Sequence, residues 1–536
     1  SPNCDSGDAT ASPARALPVA GEAGAVTIAP GGRWFAEGAS RARVVNTGEV
    51  HVGRTATLAE ARLEGDYVQT ADGSLVVGAD FGRGTADRLV VDGRAHVDGA
   101  IRVAPVTLVA GGPVEVLRAT RVTGAATALD SPAVDFEART RADRVEVSVA
   151  DTRFADAAAA LSQTERRAAA YLDALFDAGA TEHGALLAAF DALLTGEDGV
   201  GAFGDALAGL SPGATQAPGA ASLVHAHDRL SSVLSCPAFE GDGALVGEES
   251  CTWSRGGASA MRQSGADGYD GSAWELAAGV QAEVAPGWFA GLAAGYARDW
   301  YASADGTRKA EGDTGFVAAS LKRERGAFRV SGAVTGSYGG FDLSRRPAVP
   351  GAVGTARATT DVLGLGARAR LGYRLASASA YVEPFVDLDV LHTRVGAYDE
   401  SGAGSLDLSV DAAAETAFVA TPAFEVGLRH DVSDEAVLRA YARLGVSLST
   451  LEDWTTSARF SSAPPAAGTF ESDLPVPSVP ARFAGGLDLA VRDRLHLRAD
   501  HEGSVGDSFR RHGAVLRIDR RFRSRAHPTA RASPFA

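Results

Sequence analysis

The sequence predicts an all-β chain with a short helical linker: a right-handed parallel β-helix fragment, then a 12-stranded antiparallel transmembrane β-barrel. Three observations carry this. Short β phrases punctuated by Gly and Asp fill residues 1–150. Ala-rich helical text follows. From about 249 to 522, apolar and polar or small residues alternate with period two, the signature of strands.

Composition sets the outer limits. The chain has 536 residues, 51 Lys and Arg against 67 Asp and Glu, and a net charge of −16. That balance argues against a nucleic-acid partner, because phosphate binding needs a basic surface. No run of about 18 apolar residues occurs, so no transmembrane helix is predicted. A membrane barrel stays open, since its signal is weak alternation in segments of about 10 residues. The chain starts Ser-Pro-Asn-Cys, with no initiator Met and no charged-then-apolar leader. That reads as a removed signal peptide or a trimmed chain.

The first segment, residues 1–154, contains "ARVVNTGEVHVG", "LEGDYVQTADGSLVVGADFG", "ADRLVVDGRAHVDGAIRV" and "DRVEVSVADT". Each phrase is too short to bury its own core, but stacked phrases share one, as in a solenoid. Residues 155–248 read as a helical linker. "DAAAALSQTERRAAAYLDALFDAG" predicts a helix stopped by Gly179, and "HGALLAAFDALLTG" and "GAFGDALAGLSP" predict two more. A further helix is expected over about 219–235, ended by Cys236-Pro237. Of the three cysteines, Cys236 and Cys251 lie close in sequence and Cys4 is remote. In an oxidising compartment the close pair bridges, worth roughly 3 kcal/mol by loop closure; two unpaired thiols are the alternative.

The barrel reading covers residues 249–522. Trp274, Leu276, Ala278, Val280, Ala282 and Val284 alternate with Glu275, Ala277, Gly279, Gln281 and Glu283. Pro286-Gly287 turns the chain, and Trp288, Ala290, Leu292, Ala294 and Tyr296 resume the apolar set. Later strands carry Arg368, Arg370, Glu383, Asp387, Asp389, Glu425, Arg429, Arg439, Arg443, Arg482 and Asp488 on their polar faces. With the charged faces outward, the apolar faces of about twelve strands would have to fill a wide interior, which side chains alone do not do. Turned the other way, the apolar face meets lipid and the charged face lines a wet lumen. Trp274, Trp288, Tyr296 and Trp300 fit interfacial girdles.

Four phrases, in order, resemble the autotransporters, the type V secretion proteins of Gram-negative bacteria. "GDYVQTADGSLVV" with "ADRLVVDGRAHVDGAIRV" resembles the end of pertactin-like β-helical passengers. "ALAGLSPGATQAPGAASLVHAHDRLSSVLS" resembles the junction helix inside the pore, and "CTWSRGGAS" the start of the barrel. "HGAVLRIDRRF" resembles the terminal strand, whose final aromatic the barrel-assembly machinery reads; Leu516, Ile518 and Phe522 are then the assembly signal. The resemblance implies an outer-membrane protein that carries its own N-terminal passenger to the cell surface. It implies a pore helix whose His225, Asp228 and Arg229 reach charged wall residues. The expected partners are outer-membrane lipid, the barrel-assembly machinery, periplasmic chaperones and the chain's own passenger, with the protein a monomer and no cofactor. The passenger reads as an adhesin or another surface-interaction module. Two departures stand out. A basic, Pro-containing tail, 523–536, follows Phe522 and is expected to be disordered, and Arg520 falls on the lipid-facing side of the terminal strand. The passenger is also short, like the membrane-proximal end of a longer β-helix.

Active-site phrases lead elsewhere. "GDSF" at 506–509 resembles the nucleophile block of GDSL esterases but lies before the last strand. "CDSGD" at 4–8 has no upstream His and Asp to complete a triad. His225 and His227 diverge by about 200° on a helix, so they do not share a metal. Asp387 and Asp389 share a strand face, as charged lumen walls do. Two other functions fit the text: a passive outer-membrane channel, and the barrel anchor of a secreted hydrolase whose catalytic part is absent from this chain.

Overall fold

The computed structural model describes residues 24–53, 57–234, 236–239, 246–265, 267–491 and 495–522. Cys4, "CDSGD" and the tail 523–536 lie outside them. The chain forms two compact units, residues 1–157 with 175–199 and residues 158–174 with 200–536. Among the described residues, no helix is long and apolar enough to cross a membrane.

The first unit is a stacked parallel solenoid. One sheet runs through Gly24–Ile28, Ala42–Asn46, Tyr67–Gln69, Arg88–Val97 and Val114–Thr123. A second runs through Arg33–Ala36, Glu49–Val52, Ser74–Asp80, Ala100–Thr107 and Thr127–Leu129. Pairing register places Trp34, Val50, Leu75, Ile101 and Ala128 in one column, and Val50, Leu75 and Ile101 are fully buried. Each rung thus buries a face that it cannot bury alone. Rung lengths vary, from Val26 against Val44 to Leu89 against Leu117, which explains the weak repeat in the sequence.

A buried polar ladder runs through the same core. Asn46 Nδ2 donates to the Ser74 carbonyl (2.9 Å), Tyr67 Oη–H to Gln69 Oε1 (2.8 Å) and Gln69 Nε2 to the Ala100 carbonyl (2.9 Å). Its members satisfy one another, which keeps polar burial affordable. Val134–Thr140 and Arg144–Thr152 pair antiparallel and end the parallel run. The helix Gly184–Leu194 lies along this unit, with the Leu108 amide donating to the Gly184 carbonyl (2.9 Å). Ser131 Oγ–H donates to the Asp191 carboxylate, and burial pushes that carboxyl up from its ordinary value.

The second unit is a closed barrel of twelve strands. They are β1 Cys251–Gln263, β2 Tyr269–Ala285, β3 Trp288–Ser303, β4 Arg308–Arg325, β5 Phe328–Arg345 and β6 Ala356–Tyr373. β7 Ala380–Val395, β8 Ala413–Ser433, β9 Ala436–Val446, β10 Ala481–Val491, β11 Leu495–Val505 and β12 Phe509–Arg521 complete it. Each strand pairs antiparallel with the next, and β1 pairs with β12 from Cys251↔Arg521 to Gln263↔Phe509. Closure leaves no edge for lipid to meet. Several strands run longer than the alternation alone marked; β4 starts at Arg308 rather than Gly315.

The alternation resolves as the lipid reading requires. Leu276 and Leu292 are 57% and 63% exposed on the outside, while Arg368, Asp387, Asp389, Arg439 and Asp488 are buried inside. Trp274 and Tyr296 pack at a tilt on the outer wall with ring centroids 5.5 Å apart. Tight turns join the strands at one end, using positive φ at Gly287 and Gly326. The other end carries shorter connections such as 505–509 beside the longest ones, 395–413 and 446–481. Their short strands Tyr398–Asp399, Leu408–Val410, Asp453–Phe460 and Phe470–Pro475 pair into a small antiparallel sheet that alternation did not reveal.

The linker differs in detail from its sequence reading. Helix does not run on through 158–162: a short turn at Phe154–Ala157 is followed by a helix over Gln163–Asp177. Ser162 and Glu165 form a capping box, the Glu165 amide donating to Ser162 Oγ (3.3 Å) and the Ser162 amide to Glu165 Oε2 (2.7 Å). The further helix spans Ala217–Ser232, two residues earlier at its start than expected.

Candidate functional site

The helix Ala217–Ser232 occupies the barrel lumen. Leu223, Ala226, Leu230, Val233 and Leu234 pack against Ala318 of β4, Ala333 of β5, Leu391 of β7, and Ala417 and Val419 of β8. Its start lies under the long-loop sheet. A Cβ on Gly219 would come within 2.6 Å of the Trp454 ring, so only glycine permits that approach. Gln216 Nε2 donates to Ser472 Oγ of the same sheet (3.0 Å). Its other end reaches the short-turn rim.

The three polar residues expected to touch the wall do so on different strands. His225 Nε2 lies 3.3 Å from Tyr301 Oη and 3.3 Å from Asp299 Oδ1, both on β3. Asp228 lies 3.4 Å from Arg482 of β10 and 2.7 Å from Arg511 of β12. Arg229 donates to Glu275 of β2 (3.2 Å), and its guanidinium stands 4.5 Å over the Phe316 ring of β4. Further contacts join partners far apart in the sequence. His227 Nδ1 sits 2.7 Å from Asp389 and 2.8 Å from Arg368, and Arg368 also donates to Ser231 Oγ (2.5 Å). Ser320 Oγ–H and Arg517 donate to the carbonyls of Val233 and Ser232 (both 3.1 Å), closing off the last turn. His225 and His227 thus face different walls, as their two-residue spacing requires.

Many wall charges are paired within the wall itself. Arg368 and Arg370 of β6 bond Asp389 and Asp387 of β7 (2.6 Å each). Arg443 of β9 bonds Glu425 of β8 (2.7 Å), and Arg439 bonds Asp488 of β10 (3.1 Å). These are cross-strand pairs on one face of a sheet. They also engage Asp387 and Asp389, the two carboxylates on one face of β7.

At the short-turn rim, Cys236 and Cys251 are joined as a disulfide, their Cα atoms 6.3 Å apart. It ties the chain just after the lumen helix to the first residue of β1. Beside it, Glu248 accepts from Lys322 Nζ (2.8 Å), Gln281 Nε2 (2.9 Å) and the Cys236 amide (2.8 Å). Burial works to raise the Glu248 carboxyl, but Lys322 and Arg329 outweigh it and hold it at about 2. Cys236, Cys251 and Asp519 form the one metal-type cluster among the described residues, and its two sulfurs are bonded to each other. Reduction is expected to remove roughly 3 kcal/mol of loop-closure stabilisation. The check is the temperature at which gel mobility changes on heating, with and without reductant. An unchanged midpoint means that the bridge restrains nothing.

On β12, Leu516, Ile518 and Phe522 face outward, with Ala514 and Arg520, while Arg517 and Asp519 face the lumen. The Phe522 amide donates to the Ser250 carbonyl (3.1 Å), extending the closing pair beyond Arg521.

Residues 252–502 match the family model of the autotransporter β-domain. The translocator domain of autotransporter NalP from Neisseria meningitidis is similar at 16% identity, over 58% of this chain and 100% of that one, with TM-score 0.45. The β domain of the Bordetella autotransporter BrkA is similar at 19% identity, over 51% and 100%, with TM-score 0.39. The transport unit of the autotransporter AIDA-I from Escherichia coli gives 12% identity, 51% and 90%, and TM-score 0.37. No curated protein matches the chain. Domains of this family transport rather than catalyse. With a closed barrel and a lumen helix tied to its first strand by the disulfide, the family match makes residues 252–502 an autotransporter β-domain, a translocator of the bacterial outer membrane.

Proposed function

We propose that this protein carries its own N-terminal solenoid to the cell surface and holds it there, with the lumen helix closing the pore afterwards. One observation supports this above the rest. The lumen helix begins beneath the long-loop sheet and ends at the short-turn rim, where the disulfide ties it to β1. Long loops face outward and short turns inward in outer-membrane barrels. The chain before the helix therefore leaves on the outer side. A filled lumen also disfavours the passive-channel reading.

The solenoid is the passenger, and adhesion or another surface contact is its role, by analogy with surface-presented β-helices. Cross-rung ion pairs such as Arg33–Glu49 (2.8 Å) and Arg62–Asp92 (2.8 Å) give its exterior a charged, water-compatible face. In this reading the protein works as a monomer in outer-membrane lipid. Periplasmic chaperones deliver it, and the barrel-assembly machinery inserts it through the β12 signal. Proteolysis of intact cells expressing the full chain tests display. Loss of the solenoid with survival of the barrel is expected. A solenoid cut only after the outer membrane is permeabilised overturns it.

A further inference from the structure

Asp228 and Arg229 are the only formally charged residues between Asp205 and Glu240. They are adjacent, opposite in sign, and seated against opposite partners. Asp228 meets Arg482 and Arg511, and Arg229 meets Glu275. These receptors differ from the rest of the wall. Arg482 has Ser447 Oγ (2.7 Å) as its other close partner, and Arg511 has the more distant Glu502 (3.6 Å). Glu275 is shared with Arg255 (2.6 Å). Arg482 and Arg511 thus rely on the helix for their nearest carboxylate, whereas Arg368, Arg370 and Arg443 have theirs in the wall.

We propose that the Asp228-Arg229 pair is a register stop that fixes where the threaded chain comes to rest in the pore. A shift of one residue in one direction brings Arg229 to the place of Asp228, against Arg482 and Arg511. A shift in the other direction brings Asp228 to the place of Arg229, against Glu275. Both neighbouring registers set like charges together in a buried site, where such contacts are costly. A shift of a full turn, about 5.4 Å, carries both charges out of reach of their partners. The apolar seam of Leu223, Ala226 and Leu230 has no such discrimination, because it meets mainly small alanines and aliphatic side chains. A single polar position that sets register at some cost in stability is a known device where helices pack. The stop rests on the display reading, since only a chain that threads needs a resting place.

The test exchanges the two residues, Asp228→Arg with Arg229→Asp, in the full chain. Composition and net charge stay the same. Reconstituted in planar bilayers, the exchanged protein is expected to spend roughly tenfold or more of its time open relative to the unaltered chain. Heat-modifiable gel mobility reports whether it assembled. A well-assembled exchanged protein with an unaltered closed baseline overturns the stop. If the exchange blocks assembly, Asp228→Asn and Arg511→Gln are measured singly and together. A stop predicts that the double variant opens no more than the worse single one; simple additivity overturns it. Proteolysis of cells separates the two ideas. Display with a closed baseline in the exchanged protein sinks the stop alone, and absence of display in the unaltered chain sinks the display reading.

Discussion

Removing residues 155–235 is expected to turn a closed barrel into a conducting pore. The helix is about 10 Å across and the apolar core about 30 Å thick, so the bore left behind conducts on the order of a nanosiemens in about 1 M KCl. The unaltered chain should stay near baseline, because the helix is held from several strands: by Arg482 and Arg511, by Asp389, by Glu275 and by the apolar seam. Single-channel recording of both proteins decides the matter, with heat-modifiable mobility to show that both are folded. Equal conductance means that the helix does not plug the pore.

Phe522→Ala is expected to cut barrel assembly severely, while removing residues 523–536 leaves it intact or improves it. Phe522 is exposed on the outer wall next to the seam where β12 meets β1. It caps the apolar row of Ala514, Leu516 and Ile518, and truncating it removes the last apolar contact there. Arg520 lies in that same row. A cation at the bilayer midplane of a barrel wall costs about 2–4 kcal/mol, but near the interface only about 0–1. Arg520 pairs with Leu495, the first residue of β11, which puts it at the short-turn rim where the cost is small. Heat-modifiable mobility of outer-membrane fractions is the readout. Normal assembly of Phe522→Ala, with loss on removal of the tail, would show that the signal lies beyond Phe522.

Period-two alternation made the barrel legible, because every strand must show one face to lipid and the other to a polar lumen. Its inner face was less legible. Trp253, Phe316 and Tyr381 point inward, where aromatic rings cover glycines. A Cβ on Gly279 would meet the Trp253 ring at 2.5 Å, and one on Gly427 the Tyr381 ring at 2.1 Å. Alternation alone cannot distinguish such a ring from a girdle residue. The sheet joined from 398–410 and 453–475 was hidden for another reason. Its strands are two to eight residues long and pair across distant loops, and Arg345 reaching Glu400 (3.0 Å) is as nonlocal. The break before Gln163 had a local signal, since Ser162-Gln-Thr-Glu165 is a capping box written in the sequence. At the lumen helix, charge made Asp228 and Arg229 legible, but their partners sit on strands far along the chain and could only be seen in three dimensions.

The internally paired wall has a consequence for traffic. A pore lined with uncompensated arginines would grip each carboxylate that went by, and a passing segment would move in jerks set by its own spelling. Where Arg368 already holds Asp389 and Arg443 already holds Glu425, a passing charge finds little to grip, and the grip is left to Arg482 and Arg511, whose nearest carboxylate is that of the helix at rest. Friction then depends on the width of what is being pulled through more than on its text.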